Sequence, residues 1–170
     1  QEKYEKYLAD VKAKIDKNRD DQFLSLEESN HETSRCYDIA VRRERTLWER
    51  TSEDEDFMKV RTGKGDINIS FQIKFPNNVL GIYTDELEGQ GEELGKGNQI
   101  LEGAPILCDI YNDLSIGVIG DRQKAISTAR NMLVQLSTTH SYKDLKIVSL
   151  FSKKEAREWE FVKWLPHSFN

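Results

Sequence analysis

The sequence predicts an α/β fold. An N-terminal helical hairpin, a stalk over residues 1–50, precedes a P-loop-ATPase-like domain over residues 51–170, built on a Rossmann-like parallel sheet with an antiparallel β-hairpin. Three observations carry this expectation: an apolar stripe at helical spacing near the N-terminus, strict two-residue alternation between Asp66 and Phe75, and a strand, helix, strand succession of apolar density after Pro105. Only one β-α-β crossover is present, so the ATPase-like fold is expected to be incomplete or degenerate.

Tyr4, Leu8, Val11 and Ile15 recur at steps of four and three with charged residues between them, which makes one narrow apolar stripe on a helix. That stripe needs a partner. The stretch SLEESNHE supplies two overlapping S-x-x-E patterns, Ser25 with Glu28 and Ser29 with Glu32, either able to open a second helix as a capping box. Cys36, Ile39, Ala40, Arg43 and Leu47 continue at helical spacing to Trp48, and a short antiparallel coiled coil would let each stripe cover the other.

The period then changes. Ile67, Ile69, Phe71, Ile73 and Phe75 alternate with polar neighbours, as in a half-buried strand. FMKVRT before it, joined through Gly63, Lys64 and Gly65, predicts an antiparallel hairpin, and Pro76 ends the ladder. TDELEGQGEELGKGNQ mixes helix formers with four glycines and reads as a frayed helix or loop. Next come the apolar runs ILCDIY, LSIGVIG and LKIVSLF, with a helix from about Arg122 to Thr138 between the last two. Its Ala125, Ala129, Met132, Leu133 and Leu136 form the face that should pack on the sheet.

The chain has 170 residues, 37% hydrophobic and 32% charged, enough for one packed domain with some extra. No apolar run approaches the roughly 18 residues of a membrane crossing, and Gln1 opens a polar stretch unlike a signal peptide, so a soluble fragment is expected. A net charge of −5 argues against general attraction to nucleic acid or anionic lipid. Cys36 and Cys108 lie outside any CxxC, and His31, His140 and His167 lack metal-ligand spacing, so neither a disulfide framework nor a metal site is expected. Arg35, Arg42, Arg43, Arg45 and Arg50, interleaved with Asp38, Glu44 and Glu49, read as a solvated, salt-bridged helix face. Trp159, Phe161, Trp164 and Leu165 read as a tail buried in the domain's own core.

SIGVIGDRQKAIST invites comparison with a phosphate-binding loop, G-x-x-x-x-G-K-[ST]. With Gly120 as first glycine, Asp121, Arg122, Gln123 and Lys124 fill the loop, Ala125 replaces the second glycine, Ile126 the lysine, and Ser127 holds the hydroxyl position. Ala125 resists the glycine geometry, Ile126 brings no charge, and Asp121 caps the helix while repelling phosphate. Losing two charge-assisted contacts at about 2 kcal/mol each moves a micromolar site to the millimolar range. Two readings remain beside one another: glycines that serve only as turn residues, and a decayed nucleotide site. A working site would need Lys124 or Arg122 as substitute cation. No Walker B aspartate follows an apolar strand, since LKIVSLF leads into Ser152. No nucleophile and base can be assembled by spacing, so no catalytic residue, cofactor or metal is expected.

Three stretches, Arg45–Asp66, Gly117–Leu150 and Trp159–Phe169, resemble the membrane-proximal cytoplasmic segment of type VII secretion motors, the EssC/EccC-type proteins of the FtsK/SpoIIIE ATPase superfamily. The resemblance runs from about Leu47 to the end and rests on ordered strings: Leu47, Trp48 and Arg50 in L-W-E-R; Asp54, Asp56 and Phe57 in D-x-D-F; Arg61, Gly63 and Gly65 in R-x-G-x-G; Trp164, Pro166 and His167 in V-K-W-L-P-H. The segment keeps the Thr139-His140-Ser141 string of the family's ATPase modules without their lysine. The resemblance implies a non-catalytic domain on the cytoplasmic side of a bacterial membrane, joining transmembrane helices to tandem ATPase modules in a motor used for protein export and virulence. Its partners would be other domains of the motor, other secretion-machinery membrane proteins and secreted WXG100-type substrates, with no nucleic acid and no membrane insertion. A nucleotide-binding regulatory domain and a docking scaffold for secretion components are the alternative expectations.

Overall fold

The computed structural model describes residues 2–73 and 97–169, with side chains from Lys6 onward. Lys74, Phe75, Pro76 and the glycine-rich stretch as far as Lys96 lie outside the described residues. The chain divides into two units, Gln1–Ser29 with Lys64–Ile106, and Asn30–Gly63 with Leu107–Asn170. Strands β1 (Lys59–Asn68) and β2 (Ile100–Asp109) each contribute residues to both.

In the first unit, helix α1 (Glu2–Ser29) is continuous over 28 residues. Leu8 and Val11 are half-buried and Ile15 is buried, so the stripe read from the sequence is the covered face, and it continues through Arg19, Phe23 and Leu26. Arg19 ties this helix to the loop before β2, donating to Asn98 Oδ1 at 3.1 Å and to the Ile100 carbonyl at 2.8 Å. Gln22 Oε1 accepts from the Ser70 amide at 3.0 Å. The burial alternation at 67–73 is present, odd residues half-buried and even ones exposed, but the expected strand is not: β1 ends at Asn68 and residues 69–73 belong to no strand. The backbone approaches closely at Gly65, where a Cβ would lie 3.2 Å from the Ile106 side chain and would force that side chain to shift by a few tenths of an ångström.

The second unit holds α2 (Thr33–Arg42), α3 (Ile110–Asp113) and α4 (Arg122–Thr139), then a 3-10 turn at Lys153–Glu155, α5 (Ala156–Trp159) and 3-10 turns at Glu160–Trp164 and Pro166–Ser168. Helix α2 packs on α4, burying Cys36 and Ile39. Met132 and Leu136 of α4 meet Val60 and Leu145, with Met58, Cys108 and Ile110 at the rim. The apolar face expected of α4 is therefore the face that packs against the strands.

Several expectations are corrected. Residues 59–68 form one strand straight through Gly63-Lys64-Gly65, so the local hairpin is absent. β1 instead pairs with the distant β2, antiparallel, with register running from Ile110–Met58 at one end to Ile69–Gln99 at the other. Glycine permits a turn but does not impose one. Among the described residues the sheet has two strands, and the parallel Rossmann-like sheet is not present; the one parallel pairing is an isolated bridge between Arg50 and His140. LSIGVIG and the residues of LKIVSLF belong to no strand. Ser25 and Ser29 sit inside α1, so neither S-x-x-E pattern opens a helix, and Glu32, the N-cap of α2, makes no side-chain cap. The capping box that does form is Ser152 with Glu155. Helix α2 stops at Arg42 because Arg43 turns left-handed at φ 52°, short of Trp48.

Candidate functional site

The turn before α4 is open. Residues 111–124 are exposed, and a Cβ at Gly117 or Gly120 would meet nothing within 4 Å. Asp121 is the N-cap of α4, and its Oδ1 accepts from the amides of Gln123 at 3.1 Å and Lys124 at 3.2 Å. These are among the amides a phosphate would need, already satisfied by a fixed carboxylate. The Ala125 amide is committed to the Asp121 carbonyl at 2.8 Å, and Arg122 is paired with Glu155. Gln123, Lys124 and Ser127 are exposed, and Ile126 is half-buried. The sequence-derived cap is in place, and the geometry around it holds an anion of the protein's own.

The opposite end of α4 gathers residues from strings that are far apart in the chain. An α-helix leaves its last four carbonyls without internal partners, and here that end is buried. Each carbonyl is met. The His140 amide donates to Leu136 O at 3.0 Å, Trp48 Nε1 to Ser137 O at 3.0 Å, the Trp48 amide to Thr138 O at 2.9 Å, and the Arg50 amide to Thr139 O at 3.0 Å. Trp48 adopts φ 62° to present both donors, a left-handed conformation a tryptophan tolerates only when its surroundings demand it.

Arg50 itself is 6% exposed. Its Nε lies 2.8 Å from Asp56 Oδ2, and its terminal nitrogens donate to the carbonyls of Lys59 at 2.9 Å and Asp56 at 3.4 Å and to Asn30 Oδ1 at 3.3 Å. Asp54 closes the preceding turn by accepting from the Thr51 amide at 2.7 Å. Phe57 sets its ring edge-on to His140 with centroids 5.1 Å apart, and Leu47 is half-buried beside this cluster in sequence.

His140 is wholly enclosed. Its Nε2 accepts from the Met58 amide at 2.9 Å, which places the ring proton on Nδ1, facing Leu136 O at 3.2 Å and Thr139 Oγ1 at 2.9 Å. Burial holds the imidazole below its ordinary titration range. His167, also buried, hydrogen-bonds through Nε2 to the His140 carbonyl at 2.8 Å, while its Nδ1 has no partner among the described residues. Pro166 opens the 3-10 turn that carries it. Trp164 is 76% exposed, so the aromatic tail is only partly core: Val162 is buried and Trp159, Phe161 and Leu165 are half-buried.

Arg61 is buried and hydrogen-bonds Asn30 O at 3.0 Å and Glu32 Oε1 at 3.2 Å. A polar cavity of about 320 Å³ opens beside it, bordered by Thr33, Ser34, Gly63, Thr128 and Asn131. Arg35 grips Glu44 through two hydrogen bonds of 2.8 and 2.6 Å, as a salt-bridged surface would, but Arg50 belongs to the interior and α2 ends before Arg43, so the basic run is not one helix face. Burial pushes the Cys36 thiol up to about 11. Sequence reading found the individual strings but missed that Trp48, Arg50, Phe57, His140 and His167 converge. The available signal was polar chemistry inside apolar runs.

No protein-family model matches the chain. It is similar to the ESX secretion system protein EccC of Geobacillus thermodenitrificans, 30% identical over 122 residues, covering 71% of this chain and 8% of that protein. It is also similar to the type VII secretion system protein EssC of Staphylococcus aureus strain NCTC 8325 / PS 47, 29% identical over 164 residues, covering 96% of this chain and 11% of that protein. EssC of strain MSSA476 shows the same identity and coverage. The chain thus spans about a tenth of the length of these relatives.

Two outcomes are expected. Trp48→Phe keeps the ring and deletes the donor to Ser137 O, and should lower stability by about 1–2 kcal/mol in urea denaturation. Because folding disfavours protonated His140 relative to its ordinary value of 6.5, the unfolded chain takes up the proton first, so stability present above pH 6.5 is lost as pH falls below it. His31, lowered by burial and Arg35, acts in the same direction. Urea midpoints should fall from about pH 7 toward pH 5, and His140→Gln should flatten that slope.

Proposed function

The chain belongs to the EccC/EssC family of type VII secretion proteins, and we propose that within such a protein it is a non-catalytic cytoplasmic segment linking the membrane part to ATP-driven modules during protein export. The observation that carries this reading is Asp121, whose carboxylate takes the amides of Gln123 and Lys124 where a nucleotide phosphate would sit. Ala125 and Ile126 remove the flexibility and the cation of a phosphate loop. Thr139 Oγ1 lies 2.9 Å from His140 Nδ1, but both residues are buried and the hydroxyl donates to the Gln135 carbonyl at 2.8 Å, so these polar groups at the far end of α4 serve the structure.

Membership of the FtsK/SpoIIIE superfamily, a place on the cytoplasmic face of a bacterial membrane, and partners among the motor's own domains and the other secretion components are part of this reading. Helix α1 is suited to the linking role, being 28 residues long, or about 42 Å at 1.5 Å per residue. No helix among the described residues is long and apolar enough to cross a membrane.

Calorimetric titration of the chain with Mg-ATP should give binding no tighter than millimolar, whereas a micromolar Kd would overturn the non-catalytic reading in favour of a nucleotide-binding regulatory domain. In a full-length motor, Leu8→Asp with Val11→Asp on the covered stripe of α1 should reduce export. Wild-type export by that variant would rule out a mechanical link through α1.

A further inference from the structure

In an antiparallel strand the amide and carbonyl of one residue face the partner strand, and those of the next face away. Just before β1, the Met58 carbonyl accepts from the Ile110 amide at 3.2 Å, which fixes the parity: even residues turn toward β2 and odd ones outward. The outward groups are taken up in turn. The Lys59 carbonyl accepts from Arg50 at 2.9 Å, and the amide and carbonyl of Arg61 are both held by the side-chain amide of Gln135 at 2.8 Å. Gly63 is the next residue in this series. It is exposed, a Cβ on it would meet nothing within 4 Å, and among the described residues no side chain takes up its outward amide and carbonyl.

That open rung borders the polar cavity of about 320 Å³ beside Arg61. Thr33 and Ser34 of α2 form one wall, and Thr128, Asn131 and Gln135 of α4 another. Arg61 and Glu32 also line it, but they pair with each other at 3.2 Å, so no charge is left over for an ionic ligand. The remaining lining groups are hydroxyls, amides and backbone, which offer an apolar ligand no matching surface. Among the described residues the side chains of Thr33, Ser34, Thr128 and Asn131 make no hydrogen bond, so donors and acceptors stand ready around the rung. A neutral group with both a donor and an acceptor suits this lining, and Gln135 shows which one fits the edge: an amide, bonded through its oxygen and its nitrogen. A peptide in extended form presents that group every second residue, about 7 Å apart, which is the spacing of the outward rungs of β1. We infer that this cavity receives an extended segment of a partner protein, carrying small uncharged polar side chains, which pairs by its backbone with Gly63 in line with the Gln135 amide.

The test follows the isotope-labelled 170-residue chain by NMR during titration with the end-blocked peptide Thr-Ser-Asn-Ser-Thr. The comparison peptide has the same sequence N-methylated at every residue. The unmethylated peptide should shift the Gly63 amide and saturate with a Kd of about 1 mM, the strength of a few neutral hydrogen bonds. The methylated peptide lacks backbone donors and should bind at least about tenfold more weakly. Before peptide is added, the Gly63 amide should exchange with solvent much faster than the Arg61 amide, and peptide should slow it. Gly63→Ala keeps the amide and should bind as the wild type does, whereas Gly63→Pro removes it and should lose at least about tenfold in affinity. Ser34→Ala with Asn131→Ala alters only exposed side chains, and should weaken binding several-fold at an unchanged urea midpoint.

A Gly63 amide as protected as that of Arg61 in the free chain, equal affinity for the methylated peptide, or no saturation by about 10 mM of the unmethylated one would each overturn the inference, and none of these depends on a variant folding. Self-association in sedimentation that Gly63→Pro abolishes and Gly63→Ala keeps would assign the rung to a second copy and overturn the partner segment. No readout involves nucleotide or export, so these outcomes are independent of the proposed linking role.

Discussion

The buried C-terminal end of α4 is the constraint from which most of the second unit follows. Four carbonyls without helical partners cannot be left dry, since each would cost on the order of 1–3 kcal/mol. The chain meets them with one short segment, Trp48 to Arg50, which supplies three of the four donors. That segment must then lie against the helix end, and doing so buries the guanidinium of Arg50. A buried cation needs oxygen around it, and Asp56, Lys59 and Asn30 provide it. The turn through 51–57, the start of β1 and the approach to α2 are thereby held by a single side chain. His140 extends the chain of dependence, linking the Met58 amide to the helix end on one side and, through its carbonyl, His167 on the other.

A second device compensates for the small sheet. An antiparallel strand shows the amide and carbonyl of alternate residues to the side away from its partner, and among the described residues β1 pairs with β2 alone. Gln135 of α4 takes the place of a missing neighbour at Arg61, its Oε1 accepting from the Arg61 amide and its Nε2 donating to the Arg61 carbonyl, both at 2.8 Å. A side-chain amide has the same donor and acceptor pair as a peptide group, so one glutamine can close one rung of a ladder. Among the described residues no such substitute reaches the amides of 148–151.

What the sequence made legible was local. The alternation at 67–73, the apolar face of α4 and the stripe on α1 were all visible because the period of burial is written directly into residue spacing. The cap at Asp121 was visible because an N-cap needs only its own helix. The pairing of β1 with β2 was not, since a Gly-Lys-Gly run looks the same whether a chain turns there or runs straight, and the partner lies more than thirty residues away. The parallel sheet was inferred from apolar runs at 114–120 and 145–151, and apolar density alone does not distinguish a paired strand from one whose neighbours are elsewhere. Arg50 looked like one more surface cation because charge counts do not reveal which guanidinium has enough carbonyls nearby to be buried. His140 and His167 were read only as poor metal ligands, although their use is to join backbone groups.

The N-terminal end of α4 is satisfied by the chain itself. In a working phosphate loop the ligand itself neutralises the helix N-terminus, so the empty protein must tolerate amides and a positive helix end without their partner. Here Asp121 supplies negative charge at that end from within the chain. At the other end, the partners of α4 are likewise all internal, supplied by Trp48, Arg50 and His140. With the Gln123 and Lys124 amides already taken, a phosphate at this end of α4 would have to displace the carboxylate of Asp121. Helix α4 runs unbroken from the turn at Asp121 to the cluster at His140, so the two ends are joined by one continuous element.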